Sequence, residues 1–410
     1  MPVITLFSGE YCNEAAVSRE IKDQTGYRWI DGKEIMGRAA ELSGMPASKI
    51  QSAFSSRTSL FNRFTHEKER AVAHLRVSLS EILEADNLLI SGFSGLLIPR
   101  SITHVLPVCL IADLPSRVSY LREERAVSEK EALNLIRKSD EDCAAWVKML
   151  HDRNDPWDST LYDILVPTDK TSAAAAARLI AENIDSDVLK RSERSQKAVA
   201  DFHLAACVEA ALAREGHQVG VRARNGKVTL TINTYVLMLQ RLEDELKGIA
   251  EKVPGVAGVE TEIGKNFHQT DIYRRFDFEV PSKVLLVDDE REFVQTLSER
   301  LMMRDMGSAV AYDGESALDI VNEDDPEVMI LDLKMPGIDG IEVLRRVKKT
   351  RPEIEVIILT GHGSEADKKI CMELGAFAYL QKPVDIDTLS ETLKAANARM
   401  RDRTSAMRKA

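Results

Sequence analysis

Five cysteines in 410 residues, none in a C-x-x-C pair, leave little material for a disulfide framework or a zinc site. Cys12, Cys109, Cys143, Cys207 and Cys371 are odd in number and widely dispersed, the pattern of reduced thiols in a cytoplasm. Uninterrupted apolar runs of about 18 residues are missing too, so no membrane-spanning helix is expected. The N-terminus has no basic segment followed by an apolar core, because Glu10, Glu14, Arg19 and Glu20 break the first apolar run; the expectation is of no signal peptide and a cytoplasmic protein. Positive charge is in deficit, 55 Lys and Arg against 66 Asp and Glu, a net charge of −11 that gives no reason for nucleic-acid binding through bulk electrostatics. What the chain does have is an ordinary globular composition, 44% hydrophobic and 30% charged, and a length that fits two to four domains.

The clearest chemistry lies in the last third. Short apolar runs, V-L-L-V (284–287), V-M-I-L (328–331), V-I-I-L (356–359) and F-A-Y-L (377–380), alternate with amphipathic segments. They read as β-α units around a parallel sheet covered on both faces. Sites in such sheets form beyond the carboxyl ends of the strands. The polar residues fall there: Asp288 and Asp289, Asp332, Thr360, and Lys382 followed by Pro383. Three carboxylates at one sheet edge repel one another unless a hard cation joins them, and carboxylate oxygens suit Mg²⁺. One carboxylate can then attack a phosphoryl group. A lysine and a threonine hydroxyl offer charge and a hydrogen bond to the incoming oxygens.

With V-L-L-V-D-D-E, L-D-L-K-M-P-G-I-D-G, L-T-G-H-G and L-Q-K-P in this order, residues 282–402 resemble the response-regulator receiver family. The resemblance implies that Asp332 is the phosphoacceptor and that Asp288 and Asp289 hold Mg²⁺ together with Asp332 and the backbone carbonyl of Lys334. It further implies that Thr360 hydrogen-bonds the phosphoryl group, that Lys382 pairs with it, and that Tyr379 is the aromatic that turns inward on activation. A cis Lys382-Pro383 bond is expected from the resemblance alone. The plainer reading, buried acids that cap helices and a solvated lysine, is set against five residue types recurring at the right strand ends.

Residues 1 to about 185 also read as α/β, with apolar runs at 3–7, 88–92 and 105–112 and amphipathic stretches near 14–24, 66–85 and 128–150. I-T-L-F-S-G-E-Y-C-N-E-A-A has the layout of a strand, phosphate loop and helix. With Gly26-Tyr27 and Asp31, L-L-I-S-G-F-S-G, V-C-L-I-A-D-L-P-S-R, a lid in E-K-E-A-L-N-L-I-R-K-S-D-E-D and a last strand in Y-D-I-L-V-P-T-D, this half resembles the cytidylate kinase-like family. The chemistry departs from it. A working phosphate loop needs consecutive glycines and a Lys or Arg, whereas Glu10 to Ala16 has neither and places Glu14 near the phosphate position. Two like charges about 4 Å apart repel by roughly 1 kcal/mol in water and more in a partly dry cleft. Phe93 stands where an arginine is usual, and the lid's Asp-x-x-Arg ends in Cys143. Arg117, Arg122 and Arg125 remain, either to contact an anion or, as is commoner on a helix, to be solvated or salt-bridged. His66-Glu67 resembles the phosphorylatable histidine box of sensor kinases, but no companion ATP-binding boxes accompany it.

Between the halves, residues 186–202 read as a charged, Ser-rich linker helix. Residues 203–270 then give a helix, a hairpin around Asn225-Gly226, a second helix near 238–252 and a last strand in V-P-G-V-A-G-V-E-T-E-I. G-K-V-T-L and V-P-G-V within this stretch resemble the BON domain. Arg222, Arg224 and Lys227 are spaced for a phospholipid surface, although the acidity of the chain favours a solvated strand face.

The expectation is thus a multidomain α/β chain: a P-loop-kinase-like domain (1–185) that is catalytically degenerate, a linker helix (186–202), a small α+β BON-like module (203–270) and a doubly wound (βα)5 parallel-sheet receiver (282–402). Its function reads as a two-component response regulator that accepts a phosphoryl group on Asp332 from a histidine kinase or phosphotransfer protein in a Mg²⁺-dependent phosphorelay. A homodimer through the receiver fits this reading, and neither DNA nor a membrane surface is expected as a partner. Two alternatives stand beside it: an active cytidylate kinase regulated by its receiver, and a scaffold whose receiver is never phosphorylated.

Overall fold

The computed structural model describes residues 2–407 other than 58, 235–238, 265–266, 268–280, 282, 305 and 362. Residues 235–238 and most of the C-terminal end of the BON-like range, the first residue of the receiver range and His362 of L-T-G-H-G therefore lie outside the described residues. The chain forms two compact units, one of residues 1–58 and 67–273 and the other of 59–66 and 274–410.

The first unit starts with β1 (Val3–Ser8), α1 (Glu14–Thr25), β2 (Arg28–Ile30), α2 (Gly32–Ser43) and α3 (Ala47–Ser52). After a short turn, α4 (Asn62–Thr65), which belongs to the second unit, it continues with α5 (Glu67–Ile82), β3 (Leu88–Ser91), β4 (Val105–Ile111), α6 (Leu114–Arg125), α7 (Glu129–His151), β5 (Ile164–Pro167) and α8 (Ala173–Ile184). The five strands make a parallel sheet in the order β2-β3-β1-β4-β5. Alternate residues of β1 go to opposite faces: Val3 and Phe7 join clusters on one side, and Ile4 and Leu6 join Val17, Ile21 and Ile180 on the other. Because β1 lies between β3 and β4, the topological switch point falls at its carboxyl end, where the loop after Ser8 opens.

The unit ends with α9 (Glu193–Arg214), β6 (Gly220–Arg224), β7 (Lys227–Ile232), α10 (Leu239–Ala250) and β8 (Gly258–Ile263). Strands β6 and β7 are antiparallel, and β7 and β8 are parallel. Asn225 and Gly226 both have positive φ, 51° and 80°, the conformation that the tight hairpin expected there requires. Of the stretch read as a linker helix, Asp187–Leu189 form a separate short turn, and residues 193–202 then open α9. Ser192 caps it by accepting from Ser195 N–H, and Val199 and Phe202, one helical turn apart, are buried with Ile35, Leu75 and Trp146. A helix with an apolar stripe is held by packing, which a freely solvated linker lacks. Arg222 is ion-paired with Glu262, so the strand face carries its own counter-charge.

In the second unit β9 (Val284–Val287), α11 (Arg291–Met302), β10 (Ser308–Ala311), α12 (Gly314–Asp324), β11 (Val328–Leu331), α13 (Gly340–Thr350), β12 (Glu355–Thr360), α14 (Glu365–Glu373), β13 (Ala378–Gln381) and α15 (Ile386–Met407) alternate. The all-parallel sheet has the order β10-β9-β11-β12-β13. Leu285, Val287, Met329 and Leu331 serve one core cluster, and Val284, Leu286, Val328 and Ile330 the other. This doubly wound arrangement is the expected α/β class. Residues 59–66 complete the unit: Phe61 is buried in its first cluster, and the Leu60 N–H donates to Asp324. His66 sits at positive φ at the end of α4, one residue before α5, and is not part of the charged helix where the sequence suggested it.

Candidate functional site

The edge of the second sheet gathers the polar residues expected there. The Asp288 N–H donates to Ala311 and the Asp332 N–H to Val287, which extends the ladders of β9 with β10 and β11 and sets the two acids side by side just past the strands. One oxygen from each of Asp288, Asp289 and Asp332 lies within 4.8 Å of the others, with Asp289 exposed and the other two buried. Asp288 is fully engaged: Oδ1 accepts from the Glu290 N–H at 3.0 Å and Oδ2 from Lys382 Nζ at 2.6 Å. Asp332 is half engaged, with Oδ2 accepting from the Lys334 N–H at 3.0 Å and Oδ1 buried without a partner.

Burial pushes the Asp288 carboxyl up, and the nearby Asp332 adds to this against the pull of Lys382. Burial pulls the Lys382 ammonium down, but its bonds to Asp288 and Glu290 prevail and hold it above its ordinary value. The Lys382-Pro383 bond is cis. The Lys382 N–H donates to the Thr360 carbonyl, so the end of β12 is joined to the lysine. Thr360 is fully buried. Tyr379 places its hydroxyl, buried and without a partner, against Gly363, where any Cβ would overlap it.

Two residues in this site were not singled out from sequence. Glu290 receives Lys382 Nζ at 2.9 Å beside Asp288; its only signal is the acid that directly follows the Asp pair. Gly340, the first residue of α13, has its Cα hard against the Asp332 carbonyl and Leu333, and a Cβ there would collide with backbone. Gly340→Ala should therefore lower the stability of the chain by about 1–3 kcal/mol, the range of overpacked cores. A denaturant midpoint unchanged from wild type would contradict this.

The loop after β1 tells a different story. Its turn uses Tyr11 and Asn13 at positive φ, 64° and 59°, so left-handed geometry persists without glycines. Glu14, at the head of α1, accepts from the Ser8 hydroxyl, and the Ser91 hydroxyl at the end of β3 also bonds it. Trp29 Nε1–H in turn donates to Ser91 at 3.0 Å. A carboxylate held by hydroxyls from two strands thus fills the mouth of the switch point. Asp31 caps α2 through the Glu34 N–H.

Arg117 is committed as well. It forks onto both oxygens of Asp140 at 2.9 and 2.7 Å, and its Nε–H donates to the Glu10 carbonyl. Arg122 and Arg125 are exposed, Arg125 over the Tyr11 ring. The segment read as a lid is the first part of the 23-residue helix α7.

Glu14 also supplies a pH test. Burial pushes its carboxyl above the ordinary range, with the Ser8 and Ser91 hydroxyls pulling it partly back. A carboxyl raised on folding holds its proton more tightly in the folded state. Its contribution is therefore present below the unfolded value of about 4.3 and is lost as pH rises through the raised value. Glu14→Gln should leave the melting temperature near wild type at about pH 4 and raise it at neutral pH; a lower melting temperature at neutral pH would refute the assignment.

A doubly wound parallel sheet with three acids, a buried threonine and a lysine at its carboxyl edge defines a class of α/β signalling domain. The chain carries a receiver domain near its C-terminus: a family model described as response regulator receiver domain matches residues 284–394. The receiver domain of a Francisella response regulator is 32% identical over 29% of this chain and 98% of that one, with a TM-score of 0.28. A response regulator receiver domain protein from Clostridium thermocellum is 36% identical over 29% and 96%, with a TM-score of 0.28. A CheY-like receiver domain protein from Methanospirillum hungatei is 25% identical over 29% and 96%, with a TM-score of 0.29. A second family model, described as cytidylate kinase-like family, matches residues 3–170. Two-component signalling and an interaction with a phosphodonor such as a histidine kinase follow from the receiver domain. No helix among the described residues is long and apolar enough to cross a membrane.

Proposed function

We propose that this chain is a phosphorylated response regulator in which Asp332 takes a phosphoryl group from a histidine kinase or phosphotransfer protein. In this reading residues 1–185 are a catalytically degenerate kinase-like scaffold, residues 203–270 a BON-like module, and these or a partner carry the output. The observation that supports it best is Asp332, whose Oδ1 is buried and unpartnered and which offers one oxygen within 4.8 Å of oxygens of Asp288 and Asp289. Burying a carboxylate oxygen without a partner is costly. An oxygen kept there at that cost suits both a divalent cation and an incoming phosphorus.

Asp288, Asp289 and Asp332 would hold Mg²⁺ with the Lys334 carbonyl, and the bound ion would supply charge that offsets the carboxylates and the phosphoryl oxygens. An Asp332 oxygen attacks the phosphorus of the donor's phosphohistidine. The new O–P bond forms as the N–P bond breaks, and the electron pair stays on the imidazole nitrogen, which takes up a proton. Thr360 donates its hydroxyl to the phosphoryl group and Lys382 moves its charge onto it. Tyr379, seated against Gly363, is the aromatic that responds. A homodimer through the receiver is compatible with this scheme, and no DNA contact is needed for it.

Incubation of the purified chain with Mg²⁺ and a radiolabelled acyl phosphate tests the proposal. It requires an acid-stable, hydroxylamine-labile adduct, and a wild-type chain that stays unlabelled ends it. For the first domain, Glu14 among its hydroxyls argues against an active cytidylate kinase; a coupled ATP-turnover assay with CMP decides between the readings.

A further inference from the structure

On the face of the first sheet that carries Val3, Thr5 and Phe7, the core is in two pieces. Val3, Leu88, Ile90 and Val105 belong to one, and Phe7, Cys109, Val147 and Tyr162 to the other. Between them stand Thr5 and Pro107, register partners on β1 and β4, and both line a cavity of about 320 Å³. Both residues break a local rule. Thr5 is polar and only 5% exposed in a central, otherwise apolar strand. Pro107 lies inside β4, which is paired on both sides, where proline forfeits a ladder bond and is normally excluded. Departures of this kind without a local gain tend to mark sites.

The cavity is roofed by the turn after β3, with Leu96, by the last turn of α7, with His151, and by Leu161 and Tyr162. His151 Nε2 is buried and has no partner, while the ring also contacts the Leu96 backbone carbonyl. Burial pushes the imidazole below its ordinary value, so it is neutral, and with the proton on the nitrogen facing Leu96 its Nε2 is an acceptor. Arg76 and Arg100 line the same cavity, and among the described residues no Asp or Glu does. Each arginine is held by one carboxylate that does not line the cavity, Glu209 for Arg76 at 2.7 Å and Asp163 for Arg100 at 2.9 Å. A guanidinium has five N–H donors and one carboxylate takes only some of them, so each arginine keeps donors for a second anion.

We propose that this cavity binds a small aromatic carboxylic acid that also carries a hydroxyl or N–H donor. The carboxylate meets the arginine donors, the ring packs on Leu96, Leu161 and Pro107, and the donor satisfies His151 Nε2. A volume of about 320 Å³ is at the small end of ligand pockets, which suits a single ring better than a larger cofactor.

4-Hydroxyphenylacetate is the probe, titrated calorimetrically into the full chain. Phenylacetate, which lacks the donor, and tyramine, which has the same phenol but an ammonium in place of the carboxylate, are the comparators. The expected result is saturable binding of 4-hydroxyphenylacetate, weakened at least about tenfold by loss of the hydroxyl and by Arg100→Glu, with none for tyramine. Arg100 is 50% exposed, so Arg100→Glu should stay folded, and its thermal melt checks this. His151→Phe, which removes the acceptor while keeping a ring, should bind phenylacetate and 4-hydroxyphenylacetate alike. No saturable binding up to about 10 mM, equal binding of tyramine, or an unchanged affinity in folded Arg100→Glu would each overturn the proposal.

Discussion

Asp332→Ala should reduce phosphoryl labelling from an acyl phosphate to background while the chain remains folded. The geometry singles out this acid among the three. Asp288 has both oxygens engaged, by Lys382 and by the Glu290 N–H, and Asp289 is exposed, where water competes for its lone pairs. Asp332 alone combines burial with a free oxygen. The substitution also removes a buried, unpartnered oxygen, so stability should hold or rise. The melting curve therefore separates loss of the acceptor from loss of the fold. Residual hydroxylamine-labile label in Asp332→Ala would move the acceptor role to a neighbouring acid and refute the assignment.

Arg117→Met should be among the most damaging substitutions in the first unit. The arginine side chain is 7% exposed and holds Asp140, which is 34% exposed, together with the Glu10 carbonyl. Removing one partner of a buried pair typically costs about 3–5 kcal/mol; because Asp140 keeps a third of its surface in water, about 2–4 kcal/mol is expected here. Adding Asp140→Leu should restore part of the loss, since replacing both charges by apolar groups relieves the stranded acid. Chemical denaturation of the two variants reads the difference. A single variant within about 0.5 kcal/mol of wild type, the range of ordinary surface changes, would show that the pair is not structural.

The receiver was legible because each polar residue directly follows an apolar run and the strand ends are close in space in any doubly wound sheet. Asp288, Asp332, Thr360 and Lys382 needed no long-range information. Glu290 was visible but silent, since a third acid after two looks like a solvated one until Lys382 is found on it. In the first unit the absence of glycine, lysine and arginine from Glu10 to Ala16 could be read directly. The hydroxyl contacts of Glu14 could not, because Ser8, Glu14 and Ser91 meet only once β1 and β3 are neighbours. The junction of Arg117 with Asp140 was illegible for a similar reason: two helices must fold back on each other to join residues 23 apart. The start of α9 misled because its serines and charges dominate the composition, while the two residues that decide its burial, Val199 and Phe202, are a small minority of it.

Arg117 also has a mechanical side. One planar group fastens the loop that follows β1, through Glu10, to two successive helices, its own α6 and Asp140 of α7. A guanidinium forked onto a carboxylate resists rotation as well as separation. The three pieces are clamped at a common point and will open, if they open, as one body. Held in this way, the start of α7 stands as a fixed wall beside the loop after β1 and presents a constant surface.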